Sequence, residues 1–208
     1  IFSEIARITL CSPAIVVANN LDAGAGSLRQ AISDVCSGGT ITFTSSLSGQ
    51  SIHLASSLLI EKGLTIDGSS LTSHIKISGD TNNDGTGDVP VFQVTGTSPV
   101  ELNGLDIVKG KASGTSGGGI ANHGALTIKN STISGNSYVG DVGGTGNTGG
   151  GGIHNEGQLT IIDSTLTSNS AYTGSDGSSG GAINNHEGNI TVENCTFTGN
   201  SVAGGPYS

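Results

Sequence analysis

The densest run of potential ligand oxygens is Asp80-Thr-Asn82-Asn-Asp84-Gly85-Thr86-Gly-Asp88. Carboxylate and amide oxygens at positions one, three and five, a glycine at six and an aspartate at nine resemble a calcium loop. Hard Ca²⁺ takes six to eight such oxygens, and alternate residues of a tight loop can converge on it. The spacing therefore makes Asp80, Asn82, Asp84, Thr86 and Asp88 a calcium site, with Ca²⁺ the one cofactor the sequence suggests. The bidentate glutamate of such loops has no counterpart, because Val91 stands at position twelve. A polar turn between HIKIS and VFQV is the competing reading of the same residues.

A second group is carried by a repeat. His123, Glu156 and His186 each lie three residues after a recurring isoleucine. On stacked coils they would form an outward column, about 4.8 Å per step. Zinc accepts such ligands, although histidines two steps apart are near the limit of shared coordination, and surface charge pairing is the plainer expectation. Cys195 occupies the slot of Ser131 and Ser164, which a small residue at a turn explains. Threonine columns, Thr127/Thr160/Thr191 and Thr132/Thr165/Thr196, follow from strand preference. The sequons at Asn130, Asn189 and Asn194 recur because the repeat recurs. A polysaccharide lyase or hydrolase needs paired acids, or a base beside Arg or Lys. From Gly117 onward the chain offers Lys129, Asp163, Glu193, Glu156 and Glu187 but no arginine, so no residue is assigned a catalytic role.

Composition narrows the classes. Of 208 residues 36 are glycine, without the strict period of collagen, and only 11% are charged, too few for a solvated coil. The net charge of −9 leaves no cationic footprint for nucleic acid. No apolar run approaches the roughly 20 residues that span a bilayer.

What must position these side chains is a repeat of about 30 residues. GGGIANHGALTIKNSTISGNS from Gly117, GGGIHNEGQLTIIDSTLTSNS from Gly150 and GGAINNHEGNITVENCTFTGNS from Gly180 align. VELNGLDIVKG from Val100 is a weaker copy, and LTIDG from Leu64 and HIKISGD from His74 are degenerate ones. Within a repeat the apolar residues alternate: Leu126 and Ile128, Leu159 and Ile161, Ile190 and Val192. Alternation reads as half-buried strand, and no helix-length segment separates the repeats. One repeat cannot bury its apolar row, but a stack can. The fold expected is all-β, a right-handed single-stranded parallel β-helix. Ile120, Ile153 and Ile183 form one ladder, Asn122, Asn155 and Asn185 a second, and Asn136, Asn169 and Asn200 a third. Asparagine suits corners because it tolerates left-handed angles and its amide can bond along the axis. The glycine pairs before each isoleucine permit tight turns, and 137–149 and 170–179 read as protruding loops.

The head of the chain differs. Ser27-Leu-Arg-Gln30 has capping-box spacing, and Leu28, Ala31, Ile32 and Val35 share one helical face. A short helix near 27–35 would cap the first coil, with coils from about 40 to 203 forming the β-helix of residues 15–208. Residues 1–14 form an extension, suited to strand donation or to a helix on the coil. Cys11 and Cys36 are candidates for a disulfide; Cys195 lies in another context. No recognisable signal peptide opens the chain.

NNLDAGAGSLRQAI, followed by TITF, SLSGQSIHL and LTIDG, resembles the N-terminal part of bacterial surface β-helices of pectin-lyase-like shape. The GGGI/GGAI and ISGN/LTSN/FTGN motifs are similar to repeats of polymorphic outer-membrane proteins and related adhesins, over residues 15–203. The resemblance implies an extracellular or cell-surface protein. Nothing after Ser201 reads as a cap, so either the β-helix continues or a neighbour covers it. A non-catalytic rod, stalk or head-to-tail filament subunit is the function expected. An adhesin holding a host or glycan surface through its Gly-rich loops is the alternative.

Overall fold

The computed structural model describes residues 11–114, 116–140, 149–173 and 179–204. The segment Ile1–Leu10, expected as a donor strand or helix, lies outside them. So do residues 141–148 and 174–178 of the expected loops.

Alternating apolar residues build a parallel β-helix. Its first sheet stacks seven strands, from Ser12–Val17 and Val35–Phe43 through Leu64–Asp67, Val100–Asn103, Ala125–Lys129 and Gln158–Ile162 to Asn189–Glu193. The second runs from Ser51–His53 through Ile75–Ser78, Leu105–Val108, Thr132–Ser134 and Thr165–Thr167 to Thr196–Thr198. The third joins Leu58–Ile60, Phe92–Val94, Ile120–Asn122, Ile153–Asn155 and Ile183–Asn185. Each coil passes from the third sheet to the first and then the second. Every pairing is parallel, and apart from a shift between Ser12 and Ala14 against Val35–Phe43 the register holds, so like residues meet coil after coil.

The isoleucine ladder extends further than its repeat: Leu58, Phe92, Ile120, Ile153 and Ile183 form one row. Beside it, Ile60 and Val94 occupy the same column as Asn122, Asn155 and Asn185. The interior therefore changes from aliphatic to amide at Asn122, where the regular repeats begin. Asn122 and Asn155 are fully buried, and each passes its amide to the next at 2.6 Å.

Two expectations need correction. The segments that open 137–149 and 170–179 are not loops: Ser137–Val139 and Ser170–Thr173 join Lys111–Ser113 and Ser201–Gly204 in a fourth sheet. Its small residues close around the ring of Tyr138, whose hydroxyl donates to the Gly114 carbonyl at 2.6 Å. Nor do the ladder asparagines supply left-handed corners. Those fall on two other columns, Gly104/Asn130/Asp163/Asn194 and Lys109/Gly135/Ser168/Gly199, where φ lies between 46° and 67°. The glycine pairs do bend the chain, without left-handed angles, and also permit close approach. A Cβ on Gly117, Gly150 or Gly180 would overlap the carbonyl oxygen of Ile120, Ile153 or Ile183 respectively.

The head is closed by α1, Leu28–Asp34, with Ser27 as N-cap. The Ser27 hydroxyl accepts from the Gln30 amide at 3.2 Å, one half of the expected box. The Gln30 side chain turns instead to Asp34 at 2.8 Å. Leu28, Ala31 and Ile32 join the main core. The β-helix begins earlier than the expected residue 15, since Ser12–Val17 already pairs with Val35–Phe43 as the first strand of the first sheet. Cys11 and Cys36 are disulfide-bonded, tying that strand to the residue after the helix C-cap.

Candidate functional site

The Asp80 loop projects between the second and third sheets, from Ser78 to Phe92. Its oxygens are committed to the loop itself. Asp80 is fully buried; its carboxylate accepts from the Asp84 amide at 3.1 Å, the Gly85 amide at 2.9 Å and the Lys109 ammonium at 3.2 Å. Asn82 and Asp84 close turns onto the amides two residues on, at 3.0 and 2.8 Å. Asp88 accepts from the Thr81 amide at 2.9 Å. No bond of the Thr86 side chain enters this network among the described residues. Burial works to raise the Asp80 pKa, but the Gly85 amide, Lys109 and the Asp84 amide outweigh it and hold the carboxyl below its ordinary value. The five predicted calcium ligands thus share one loop. A cation there would compete with Lys109 and the loop amides for Asp80.

The interior asparagines form the most complete polar network. Asn136 donates to Asn169 Oδ1 at 2.9 Å and to the Ile107 carbonyl at 3.0 Å. Asn169 repeats both bonds one coil on, to Asn200 Oδ1 and the Ile133 carbonyl, each at 2.9 Å. The backbone amides of Asn136 and Asn169 also donate along the column, at 3.1 and 3.0 Å. These residues satisfy corner groups that the sheet ladders cannot reach.

The predicted outward column of His123, Glu156 and His186 is present and gains a member. Glu156 Oε2 faces His123 Nδ1 at 2.8 Å, while Oε1 faces His154 Nε2 at 3.1 Å and His186 Nδ1 at 3.7 Å. His154 was not singled out in the sequence because it breaks the repeat, standing where Ala121 and Asn184 stand on the flanking coils. That break was the available signal. Its side chain is fully buried outside the apolar core, with ring centroids 6.3 Å from those of His123 and His186. Its Nδ1 faces Asn184 Oδ1 at 3.2 Å. Burial works to raise the Glu156 pKa, but the bonds from His154 and His123 prevail and lower it.

Asp163 is exposed at a left-handed corner, separated from Glu156 by the strand Gln158–Ile162. Cys195 does take the serine slot: its Sγ donates to the Glu193 carbonyl at 3.1 Å, as Ser131 and Ser164 do to Lys129 and Ile162. Asn130, Asn189 and Asn194 are all exposed. No helix among the described residues is long and apolar enough to cross a membrane.

No family model, curated protein or solved structure matches the chain.

Proposed function

We propose that this chain is a non-catalytic extracellular β-helix rod, a surface stalk or a subunit joined head to tail. The observation that carries the reading is where exposed apolar surface lies. Of the nine exposed large hydrophobic side chains among the described residues, seven lie on the first or the last coils. Val16, Leu21 and Leu59 belong to the head, with Val16 and Leu59 on the first strands of their sheets. Ile190, Val192, Phe197 and Val202 belong to the last described coil, where they continue interior rows. At the tail a further coil or a second copy would bury Ile190, Val192, Phe197 and Val202, whereas Val16 and Leu59 lie on outward-facing rows beside Thr42 and Gln93. The disulfide supports an oxidising compartment.

Sedimentation velocity tests the self-joining form. The wild-type chain is expected to associate as its concentration rises, and Phe197→Glu with Val192→Glu to remain a single small species. A wild-type chain that stays monomeric at high concentration would remove the filament reading.

A second reading, attachment to a host or glycan surface, rests on Val139 and Tyr172. They are adjacent in register and exposed on the fourth sheet. Retention on a glycan array that Tyr172→Ala abolishes would favour it.

A further inference from the structure

Three of the chain's five histidines meet one carboxylate on three successive coils, a grouping that neither the apolar core nor the rod function requires. We propose that His123, His154, Glu156 and His186 bind a divalent transition-metal ion of the zinc type, which fastens those coils together.

Ligand chemistry is the first argument. Neutral imidazoles and one carboxylate are what Zn²⁺ takes, with bonds of about 2.0–2.1 Å. In a tetrahedron of that size neighbouring ligand atoms stand about 3.3 Å apart. The separations of His154 Nε2 and His186 Nδ1 from one oxygen, Oε1, 3.1 and 3.7 Å, bracket that edge, and His123 Nδ1 stands 2.8 Å from the other oxygen, Oε2. One doubly protonated imidazole would neutralise Glu156, whereas three would leave surplus positive charge. Three imidazoles gathered on one carboxylate are better matched to a dication that uses them as neutral donors.

The orientation of His154 is the second argument. Its Nδ1 faces an amide oxygen, so Nδ1 carries the hydrogen, the outer bond that fixes a metal-ligating histidine. Nε2 then faces Glu156 Oε1 at 3.1 Å, a contact that either a proton on Nε2 or a metal ion bound by both would satisfy. Packing does not ask for a histidine here, because Ala121 fills the same position one coil earlier. Among the described residues no three such groups already stand around one point, so the ion draws them together by side-chain rotation.

Calorimetry of the untagged full chain at pH 7.5 with ZnCl₂ tests the site. One ion per chain is expected, together with a melting temperature raised by Zn²⁺ and returned by EDTA. His123→Asn and Glu156→Gln, both at partly exposed positions, should each weaken binding at least tenfold. Asn184→Ala, acting through His154, should weaken it about tenfold to a hundredfold. Co²⁺ should give the intense visible bands of a tetrahedral site. Absence of heat and of any melting shift would overturn the proposal, leaving a clasp held by protons. Undiminished binding by the double variant His123→Asn, His186→Asn would overturn it equally.

Discussion

Asn169 stands at the middle of a column in which each side chain serves the coil before and the coil after. Replacing it with alanine removes the acceptor of two Asn136 donors and uncovers the Ile133 carbonyl, all of them buried. Urea unfolding should register a loss of about 2–4 kcal/mol, against under about 1 for the half-buried, outward-facing Thr167→Ala. Gly150→Ala should cost at least as much as a core truncation, because the new methyl meets the Ile153 carbonyl. Asp80 gives the pH dependence. Its folded pKa lies below the unfolded one, so its stabilisation is present above about pH 4 and is lost as pH falls through the folded value. Asp80→Asn should therefore lower stability at pH 7 and flatten its decline in acid. A calcium ion in the loop would raise the melting temperature in a way Asp84→Ala abolishes.

At the scale of elements, what could be read in the sequence was what repeats. The Ile and Asn ladders were legible because a column of like residues is a periodic signal, and α1 was legible from Ser27 and one apolar face. The fourth sheet was not, since its inward column of Ala112, Tyr138, Ala171 and Val202 mixes small and large residues and lies among Ser and Gly, which favour turns. Phe92 was missed as a ladder member because the Asp80 loop interrupts its coil. His154 was missed for the opposite reason, as the single departure inside a regular repeat. Two devices hold the head. Ser27→Ala removes the only side-chain bond to the Gln30 amide and should cost about 1 kcal/mol. Reduction of Cys11–Cys36, whose partners are 25 residues apart, should cost about 3 kcal/mol by chain entropy. Both losses should appear first as faster hydrogen exchange in Ser12–Val17 and α1, with the coils after Ile120 little changed.

The whole molecule is a stack whose stability is the sum of neighbouring contacts, so its ends differ from its middle. In the middle, apolar rows and amide columns are covered on both sides. On the last described coil Ile190, Val192, Phe197 and Val202 continue those rows and are exposed. At the head, α1 covers the core while Val16 and Leu59 remain exposed on the first strands of their sheets. On the proposed head-to-tail reading, Ile190, Val192, Phe197 and Val202 are the surface that a second copy would cover. Electron microscopy of the purified wild-type chain, with calcium and with chelator, tests this most directly. Unbranched fibres of uniform width, shortened to single rods by Phe197→Glu with Val192→Glu, are the predicted result. Single short rods at every concentration, or lateral clumps that the double variant leaves unchanged, would contradict the account.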